Sequence, residues 1–269
     1  MSKLSEKAAQ NLAAVREKKP LIHNITNFVA MNYTANALLA MGASPLMAHA
    51  ENEVEELVCS AGALVLNIGT PSESRISSMI IAGRKATELN TPIILDPVGA
   101  GASSFRMKSA LKILDQVRVG VIRGNASEIL SLRRRDCKTK GVDAVHSVDE
   151  AAAIAGVLAG EIQATLAITG PLDLVTDGER TIRVANGHPL MGYVTGTGCV
   201  STATIGAFLA VDDDRISATA AALSFFGLAG EKAGEEATAP GSFKSALINA
   251  LYTITPADLA MGARFEENH

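Results

Sequence analysis

A glycine-rich segment in the C-terminal third of the chain carries residues that could do chemistry. Residues 195–199 read Thr-Gly-Thr-Gly-Cys, and residues 200–210 after them are small and largely apolar. This pattern predicts a glycine loop that opens a helix, where Gly196 and Gly198 let the backbone approach a ligand and free N–H groups favour an anion. A thiol at a helix start, here Cys199, is expected to have a lowered pKa. The alternative is a buried structural cysteine beside a tight turn.

Polar residues also follow short runs of branched aliphatic residues. Asp96, Arg123 and Thr169 each end such a run, Glu128 follows Arg123 by about one helical turn, and Asp173 follows Thr169. Ligands of open parallel sheets bind outside the carboxyl ends of the strands. A guanidinium and hydroxyls at that edge indicate a site for a phosphorylated ligand. The carboxylates indicate a magnesium site, because Mg²⁺ prefers oxygen ligands and keeps some of its water.

Each of these residues also has a structural interpretation when it is taken alone. Asp96 precedes Pro97 and could form a turn, while Glu128 could support a helix start. Arg123 could form a surface ion pair, which contributes little to stability. The placement of all of them at predicted strand ends favours a binding site.

The elements that would position these residues alternate along the chain. Short aliphatic runs are separated by stretches long enough for a crossover helix, which predicts an α/β fold with a central, mostly parallel sheet and helices on both faces. Residues 172–176 and 180–185 predict an antiparallel hairpin at the sheet edge, and the chain after Cys199 is expected to be helical to its end. The predicted strands are residues 21–23, 63–67, 92–96, 119–123 and 165–169, and the clearest predicted helices are residues 26–41, 215–232 and 242–253.

Length and composition fit one domain over residues 1–269. The 269 residues are 48% hydrophobic and 4% aromatic, which suits a large aliphatic core. A formal net charge of -4 gives no general attraction for nucleic acid or an anionic membrane, and the sequence contains no apolar run of about 18 residues. Three cysteines without Cys-x-x-Cys spacing fit a reducing cytoplasm, with Cys59 and Cys137 expected to be packing residues.

Many separate segments together carry a resemblance to a known family. They occur in the family's order over nearly the whole chain, although residues 133–147 and the last few residues match poorly. The segments are His23 to Asn27, Gly42 to Met47, Asn67 to Thr70, Leu95 to Gly99, Gly124 to Ile129, Ile168 to Gly170, Asn186 to His188 and Thr195 to Cys199. On these segments the chain resembles the hydroxyethylthiazole kinases, which implies the ribokinase-like, three-layer αβα fold.

The resemblance implies a reaction and a nucleotide site. The family transfers the γ-phosphoryl group of ATP to the primary hydroxyl of 4-methyl-5-(2-hydroxyethyl)thiazole, a salvage step toward thiamine. Arg123, Thr169 and Gly198 would bind the nucleotide, and Asp96 and Glu128 would organise Mg²⁺.

The resemblance also assigns residues to the acceptor side. Gly196 would place its backbone against the substrate, Met47 and Asn27 would form part of the thiazole pocket, and Cys199 would face the hydroxyl that is phosphorylated. A polarizable thioether packs well against a flat sulfur heterocycle. The family further implies a homotrimer with active sites at the boundaries between subunits.

Two alternatives stay open at this point. One is another small-alcohol kinase of the same superfamily, acting on a hydroxymethylpyrimidine or a sugar. Those sugar kinases generally carry an aspartate where this chain has Cys199, which argues against them. The other is a catalytically silent thiazole or nucleotide sensor, against which the presence of both carboxylates, Arg123 and Thr169 argues.

Overall fold

The computed structural model describes residues 2–135 and 148–268. Helices and strands alternate along most of this length, as the sequence predicts. The strands are β1 Leu21–Ile25, β2 Ser44–Leu46, β3 Ala63–Asn67, β4 Ile93–Asp96, β5 Val121–Asn125, β6 Thr165–Thr169, β7 Asp173–Thr176, β8 Thr181–Val184 and β9 Phe265–Asn268. The α-helices are α1 Lys3–Lys18, α2 Met31–Met41, α3 Val54–Val58, α4 Glu73–Leu89, α5 Ser104–Gln116, α6 Ala126–Ser131, α7 Val148–Ile162, α8 Thr197–Leu209, α9 Arg215–Glu236, α10 Pro240–Thr253 and α11 Pro256–Gly262.

All nine of these strands form one sheet in the order β2-β1-β3-β4-β5-β6-β7-β8-β9. The pairs from β2 to β6 are parallel, and the pairs from β6 to β9 are antiparallel. The mostly parallel sheet and its antiparallel hairpin of β7 and β8 therefore confirm the predicted class. The carboxyl ends of β1, β3, β4, β5 and β6 lie along one edge.

Helices cover both faces of this sheet, which gives three layers. Side chains alternate across β3, so that Val65 belongs to one apolar cluster and Leu64 and Leu66 to the other. The first cluster takes its helical members from α1, α2, α8, α9, α10 and α11, and the second from α3 to α7. Full burial of an aliphatic side chain is worth roughly 1.5–3 kcal/mol, so these two interfaces hold the strand ends in place.

The structure corrects three of the predicted elements. The strand expected over residues 119–123 is β5 Val121–Asn125, so Arg123 lies within the strand and not at its end. The helix expected from residue 26 begins at Met31, because Ile25 still belongs to β1 and residues 26–30 form the connecting turn. The chain after Cys199 does not stay helical, since residues 265–268 form the edge strand β9. A four-residue strand shows no periodicity of its own, and pairing with β8 determines it.

None of the helices in residues 2–135 and 148–268 combines the length and the apolar character that a membrane crossing requires.

Candidate active site

The carboxyl edge of the sheet brings the polar residues of four strands next to the start of α8. Strand pairing places Asn67 of β3 directly beside Asp96 of β4, and Asn125 of β5 beside Thr169 of β6. Helix α8 packs on β3 and β4 from the face that carries Val65 and Ile94. The predicted strand-end residues therefore come together at one place.

The glycine loop does open a helix. Gly196 is the N-cap of α8 and has a φ of 96°, a left-handed conformation that favours glycine. No side chain caps this helix start. Thr197 N donates to Val194 O at 3.4 Å, and Val200 N donates to Gly196 O. The N–H groups of Gly198 and Cys199 between them therefore remain available to a ligand. A Cβ atom at Gly196 would lie 3.3 Å from both Ala30 and Tyr33.

Arg123 is fixed between neighbouring elements. Its Nη2 atom donates a hydrogen bond of 2.6 Å to Thr169 Oγ1, and Nη1 lies 3.9 Å from Asp96 Oδ2. A Cβ atom at Gly198 would lie 2.7 Å from Arg123 Nη1, so the guanidinium packs against the backbone of the glycine loop. Its Nε atom is buried without a hydrogen-bond partner among the described residues. A pre-oriented cation beside free N–H groups suits phosphate oxygens.

Asp96 is a buried carboxylate, with 1% of its surface exposed. Oδ2 accepts hydrogen bonds from Asn67 Nδ2 at 2.8 Å and from Thr202 Oγ1 at 2.7 Å. The pKa of Asp96 is raised to about 6, mainly by burial and in smaller part by the charge of Glu128. The charge of Arg123 and the two hydrogen bonds lower this pKa but do not offset the effect of burial. A second cation near Asp96 would lower this pKa.

Glu128 forms a capping box at the start of α6. Its Oε2 accepts a hydrogen bond from Asn125 N at 2.9 Å, and Asn125 Oδ1 accepts one from Glu128 N. Oε1 accepts a further bond of 2.8 Å from Gly99 N. The helix-start interpretation is therefore correct for Glu128. Each carboxylate oxygen keeps a second lone pair, so this role leaves room for a cation.

The Cys199 sulfur lies at the third helical position of α8 and accepts two amide hydrogen bonds. Asn27 Nδ2 donates at 3.2 Å and Asn67 Nδ2 at 3.3 Å. Burial raises the pKa of the thiol, and the charge of Asp96 adds to this, while the two amides and Arg123 act in the opposite direction. The expected lowering of the Cys199 pKa is therefore wrong, because desolvation of the thiolate outweighs these favourable contacts.

Asn27 and Met47 lie on the β1–β2 side of the same edge. Asn27 is buried, and its Oδ1 accepts a hydrogen bond from Ala30 N at 2.9 Å, which fixes the amide toward Cys199. Met47 follows the edge strand β2 directly, and its half-buried side chain packs against the apolar cluster of the α8 face. The structure thus joins Asn27 to Cys199 through a hydrogen bond and places Met47 farther out along the edge.

A cavity of about 520 Å³ opens beside Arg123 and the glycine loop. Its size suits a small organic ligand. Besides Arg123, Thr169 and Gly198 it includes residues from β7, from the loop before α8 and from α9. The lining residues are Arg123, Thr169, Gly170, Pro171, Asp173, Asn186, Gly187, His188, Pro189, Met191, Gly192, Thr197, Gly198, Ser201, Leu223, Phe226 and Gly227.

Sequence reasoning missed several residues of this region as site members. Asn67 and Thr202 both hold Asp96, yet only Asn67 carries a recognisable signal, since it ends an aliphatic run as Asp96 does. Asp173 was placed at the correct edge without a role. Its Oδ1 accepts a hydrogen bond from Gly170 N at 2.9 Å, and burial raises its pKa to about 6.

Cys59 and Cys137 were both predicted to be packing residues. Cys59 was expected to be a packing residue, but its side chain is exposed after α3, so this prediction is wrong. Cys137 lies outside the described residues.

Comparison with known proteins first defines the class of fold. A ribokinase-like superfamily protein from Enterococcus faecalis V583 superposes with a TM-score of 0.66 at 12% identity, over 95% of this chain and 96% of that one. The three-layer αβα arrangement is accordingly the ribokinase-like fold, as the sequence predicts.

Closer relatives then identify the particular family. The family model described as "Hydroxyethylthiazole kinase family" matches residues 12–257. A hydroxyethylthiazole kinase of Desulfotalea psychrophila is 62% identical over 100% of this chain and 98% of its own length. The structure of a hydroxyethylthiazole kinase protein from Pyrococcus horikoshii OT3 superposes with a TM-score of 0.91 at 47% identity, over 98% and 99% of the two chains. The chain belongs to the hydroxyethylthiazole kinase family and is a phosphotransferase of thiamine salvage.

Proposed function

We propose that the carboxyl edge of the sheet is the site where ATP phosphorylates hydroxyethylthiazole. The observation that most supports this proposal is the position of the Arg123 guanidinium. Its Nη2 atom lies 2.6 Å from Thr169 Oγ1, and the group packs on the Gly198 backbone beside the 520 Å³ cavity. In this arrangement Arg123, Thr169 and the N–H groups near Gly198 hold the phosphates, and the cavity takes the rest of the nucleotide. Phosphoryl transfer depends mainly on such positioning and charge neutralisation.

Mg²⁺ fits the donor set at Asp96 and Glu128. Both are oxygen donors, and the raised pKa of Asp96 indicates a buried carboxylate that lacks enough positive charge. No group of three or more His, Cys, Asp or Glu that could hold a metal occurs in the described part of the chain. Water and phosphate oxygens would therefore complete the coordination, as is usual for Mg²⁺. The bound ion would neutralise charge on the phosphates.

The acceptor alcohol lies on the Cys199 side of this site. Asn27 and the Gly196 backbone contact it, Met47 lines the far end of the thiazole pocket, and Cys199 faces the hydroxyl. A thiol with a raised pKa is a weak general base at neutral pH. Cys199 therefore acts mainly by placing the hydroxyl in line with the phosphoryl group.

Replacing Cys199 tests this role. Cys199→Ala is expected to lose activity by no more than about tenfold, because positioning rather than proton abstraction is removed. Cys199→Asp is expected to remain active, since the Asn27 and Asn67 amides that now donate to sulfur can donate to a carboxylate. The measurement is kcat for thiazole phosphorylation, with Cys59→Ser as the matched cysteine control. Complete loss in both Cys199 variants, with folding intact, would show that the thiol is a required base.

We also propose a homotrimer with its active sites at the subunit boundaries. Phe28 and Val29, which follow the substrate residue Asn27, have 64% and 66% of their surface exposed. Burying such side chains between subunits is favourable, and Asn27 and Met47 then serve a boundary site. Light scattering of the purified protein, expected to give three times the mass of one 27.9 kDa chain, tests this assembly.

The proposed setting is the cytoplasm, with small-molecule partners and no nucleic acid or membrane partner. The net charge of -4 gives no attraction for polyanions, and Cys59 and Cys199 are both free thiols. A single domain over residues 1–269 stays a prediction.

A direct test of the function is magnesium-dependent ADP release with a panel of acceptors. Hydroxyethylthiazole, a hydroxymethylpyrimidine and several sugars are offered separately to the purified protein with ATP. Turnover with the thiazole, and much slower turnover with the others, is expected. Preference for another alcohol would contradict the proposed thiazole pocket but would leave the proposed phosphate site intact. Thiazole binding without turnover would favour the sensor hypothesis.

A further inference from the structure

The side chain of Asn67 uses its complete hydrogen-bonding capacity at the centre of the candidate site. Its surface is 2% exposed. Nδ2 donates to Asp96 Oδ2 at 2.8 Å and to Cys199 Sγ at 3.3 Å. Oδ1 accepts from Asn27 Nδ2 and from Gly69 N, each at 2.9 Å. A carboxamide has two donor hydrogens and two acceptor lone pairs, so none is left over.

These four partners allow one orientation of the amide. A half-turn of the Asn67 side chain would place its oxygen against the Asp96 carboxylate and its NH₂ group against the N–H of Gly69. Both contacts would be repulsive, and Asp96 is buried while Gly69 is partly buried. The amide is therefore locked between β3, β4 and the start of α8.

Asn67 lies between two groups that have different roles in the reaction. Asp96 belongs to the nucleotide and metal side, whereas Cys199 faces the acceptor. Their separation is set by Asn67, which bonds to both, and by Asn27, which bonds to Asn67 and to Cys199. Asn67 itself does not line the 520 Å³ cavity.

We propose that Asn67 is a positioning residue that fixes the Cys199 sulfur relative to the Asp96 carboxylate and so aligns the acceptor hydroxyl with the phosphoryl group. This inference rests on the roles that the proposed function gives to Asp96 and Cys199. Misplacement of groups that orient the reactants lowers the rate of the chemical step. Loss of the amide should therefore act on kcat and leave the KM for ATP largely unchanged.

The test uses two variants of Asn67 in a background where Cys199 is the remaining thiol. Cys59→Ser and Cys137→Ser remove the other two cysteines. Asn67→Ala is expected to lower kcat by up to about tenfold, which is the limit given for Cys199→Ala, with the KM for ATP within about threefold of the parent. Asn67→Asp retains the shape of the side chain but places an oxygen near Asp96 and Cys199, and it is expected to lower kcat further.

Alkylation of Cys199 by iodoacetamide gives a readout that does not depend on turnover. Asn67→Asp is expected to slow alkylation at least fivefold, because an N–H donor to the sulfur is replaced by an acceptor with negative charge. Asn24→Ala is the matched control, since Asn24 is an equally buried amide at the end of β1 that donates to Ile22 O. This control is expected to change neither the alkylation rate nor kcat.

The possible results separate this inference from the proposed function. Parental kcat and parental alkylation in a folded Asn67→Asp variant would overturn the positioning role. The near-isosteric Asn67→Asp decides the question if Asn67→Ala does not fold. Failure of the parent to phosphorylate the thiazole would overturn the proposed function, and the alkylation rates would still show whether Asn67 controls the sulfur.

Discussion

Asp96→Asn is expected to lose phosphoryl transfer while making the folded protein more stable at neutral pH. Activity is expected to fall because the carboxylate that we propose to hold Mg²⁺ at the phosphates is removed, with an expected loss in kcat of roughly a hundred- to a thousandfold. Stability rises because an uncharged amide replaces a buried charge. The asparagine oxygen can occupy the position of Oδ2 and keep the hydrogen bonds from Asn67 and Thr202.

The pKa of Asp96 gives the sign and the pH range of the stability effect. Its value is about 6 in the folded protein against 3.8 for an ordinary aspartate. The folded state therefore binds this proton more tightly than the unfolded chain, and ionisation of Asp96 lowers stability as pH rises from about 4 through 6. The full cost, on the order of 3 kcal/mol, is present above pH 6 and absent below about 4.

Thermal unfolding with EDTA present measures this effect in metal-free protein. Asp96→Asn is expected to raise Tm by roughly 3–6 °C at pH 8 and to equal the parent near pH 4. A lower Tm of Asp96→Asn at pH 8 would show that the carboxylate stabilises the fold despite its burial.

Asp214→Asn is a control variant for which the expected change in Tm at pH 8 has the opposite sign. Burial alone would raise the pKa of Asp214, but hydrogen bonds from Arg180 and Ser217 and the charges of Lys7 and Arg180 hold it below its usual range. A lowered pKa means that the carboxylate contributes stability above the unfolded pKa and loses it as pH falls. Asp214→Asn is therefore expected to lower Tm at pH 8, where Asp96→Asn raises it.

The fold was largely predictable because its strands are buried on both sides. A strand covered by helices on both faces reads as a continuous aliphatic run, and Ala63–Asn67 and Thr165–Thr169 were predicted with the bounds that the structure shows. The edge strands β2 and β9 were not predicted. They are three and four residues long, and β9 contains two glutamates, so neither has an apolar pattern to detect.

The sequence predicted that the site lies at the carboxyl edge of the sheet, but it did not predict the side-chain contacts within the site. Strand ends identified Asp96 and Thr169, whereas Arg123 was predicted at a strand end and lies inside β5. The roles of all three residues stay predictions. The bond from Asn67 to Asp96 joins residues 29 positions apart and depends on the register of β3 against β4. The direction of the Cys199 pKa depends on burial beside Asn27 and Asn67, which lie 172 and 132 positions away in the chain, and no local pattern around Cys199 reports that burial.

Gly198→Val is expected to be far more damaging than Cys199→Ala, although glycine contributes no functional group. A Cβ atom at residue 198 would lie 2.7 Å from Arg123 Nη1 and 3.3 Å from Nη2. The guanidinium has little room to move, since Thr169 holds it at 2.6 Å and its side chain is 13% exposed. The added side chain must therefore displace Arg123 from the position where it would bind phosphates.

The expected result for Gly198→Val is a fall in kcat/KM for ATP of at least about a hundredfold, against no more than about tenfold for Cys199→Ala. Steady-state kinetics measure both values, and circular dichroism verifies folding. Gly160→Ala is the matched control, because a Cβ atom at this glycine of α7 meets no atom within 4 Å. Activity of Gly198→Val close to that of the parent would mean that the loop and Arg123 do not form one phosphate site.

A double variant identifies Arg123 as the group through which Gly198→Val acts. If the valine harms catalysis by displacing the guanidinium, the change should cost little once Arg123 is already alanine. The two free-energy changes should then be strongly non-additive, as is usual for residues in direct contact. Additive losses would place the damage elsewhere, at the N–H groups of the helix start. Because the predicted clash is with the guanidinium itself, the cycle distinguishes a cation held by the glycine loop from a loop that binds phosphate alone.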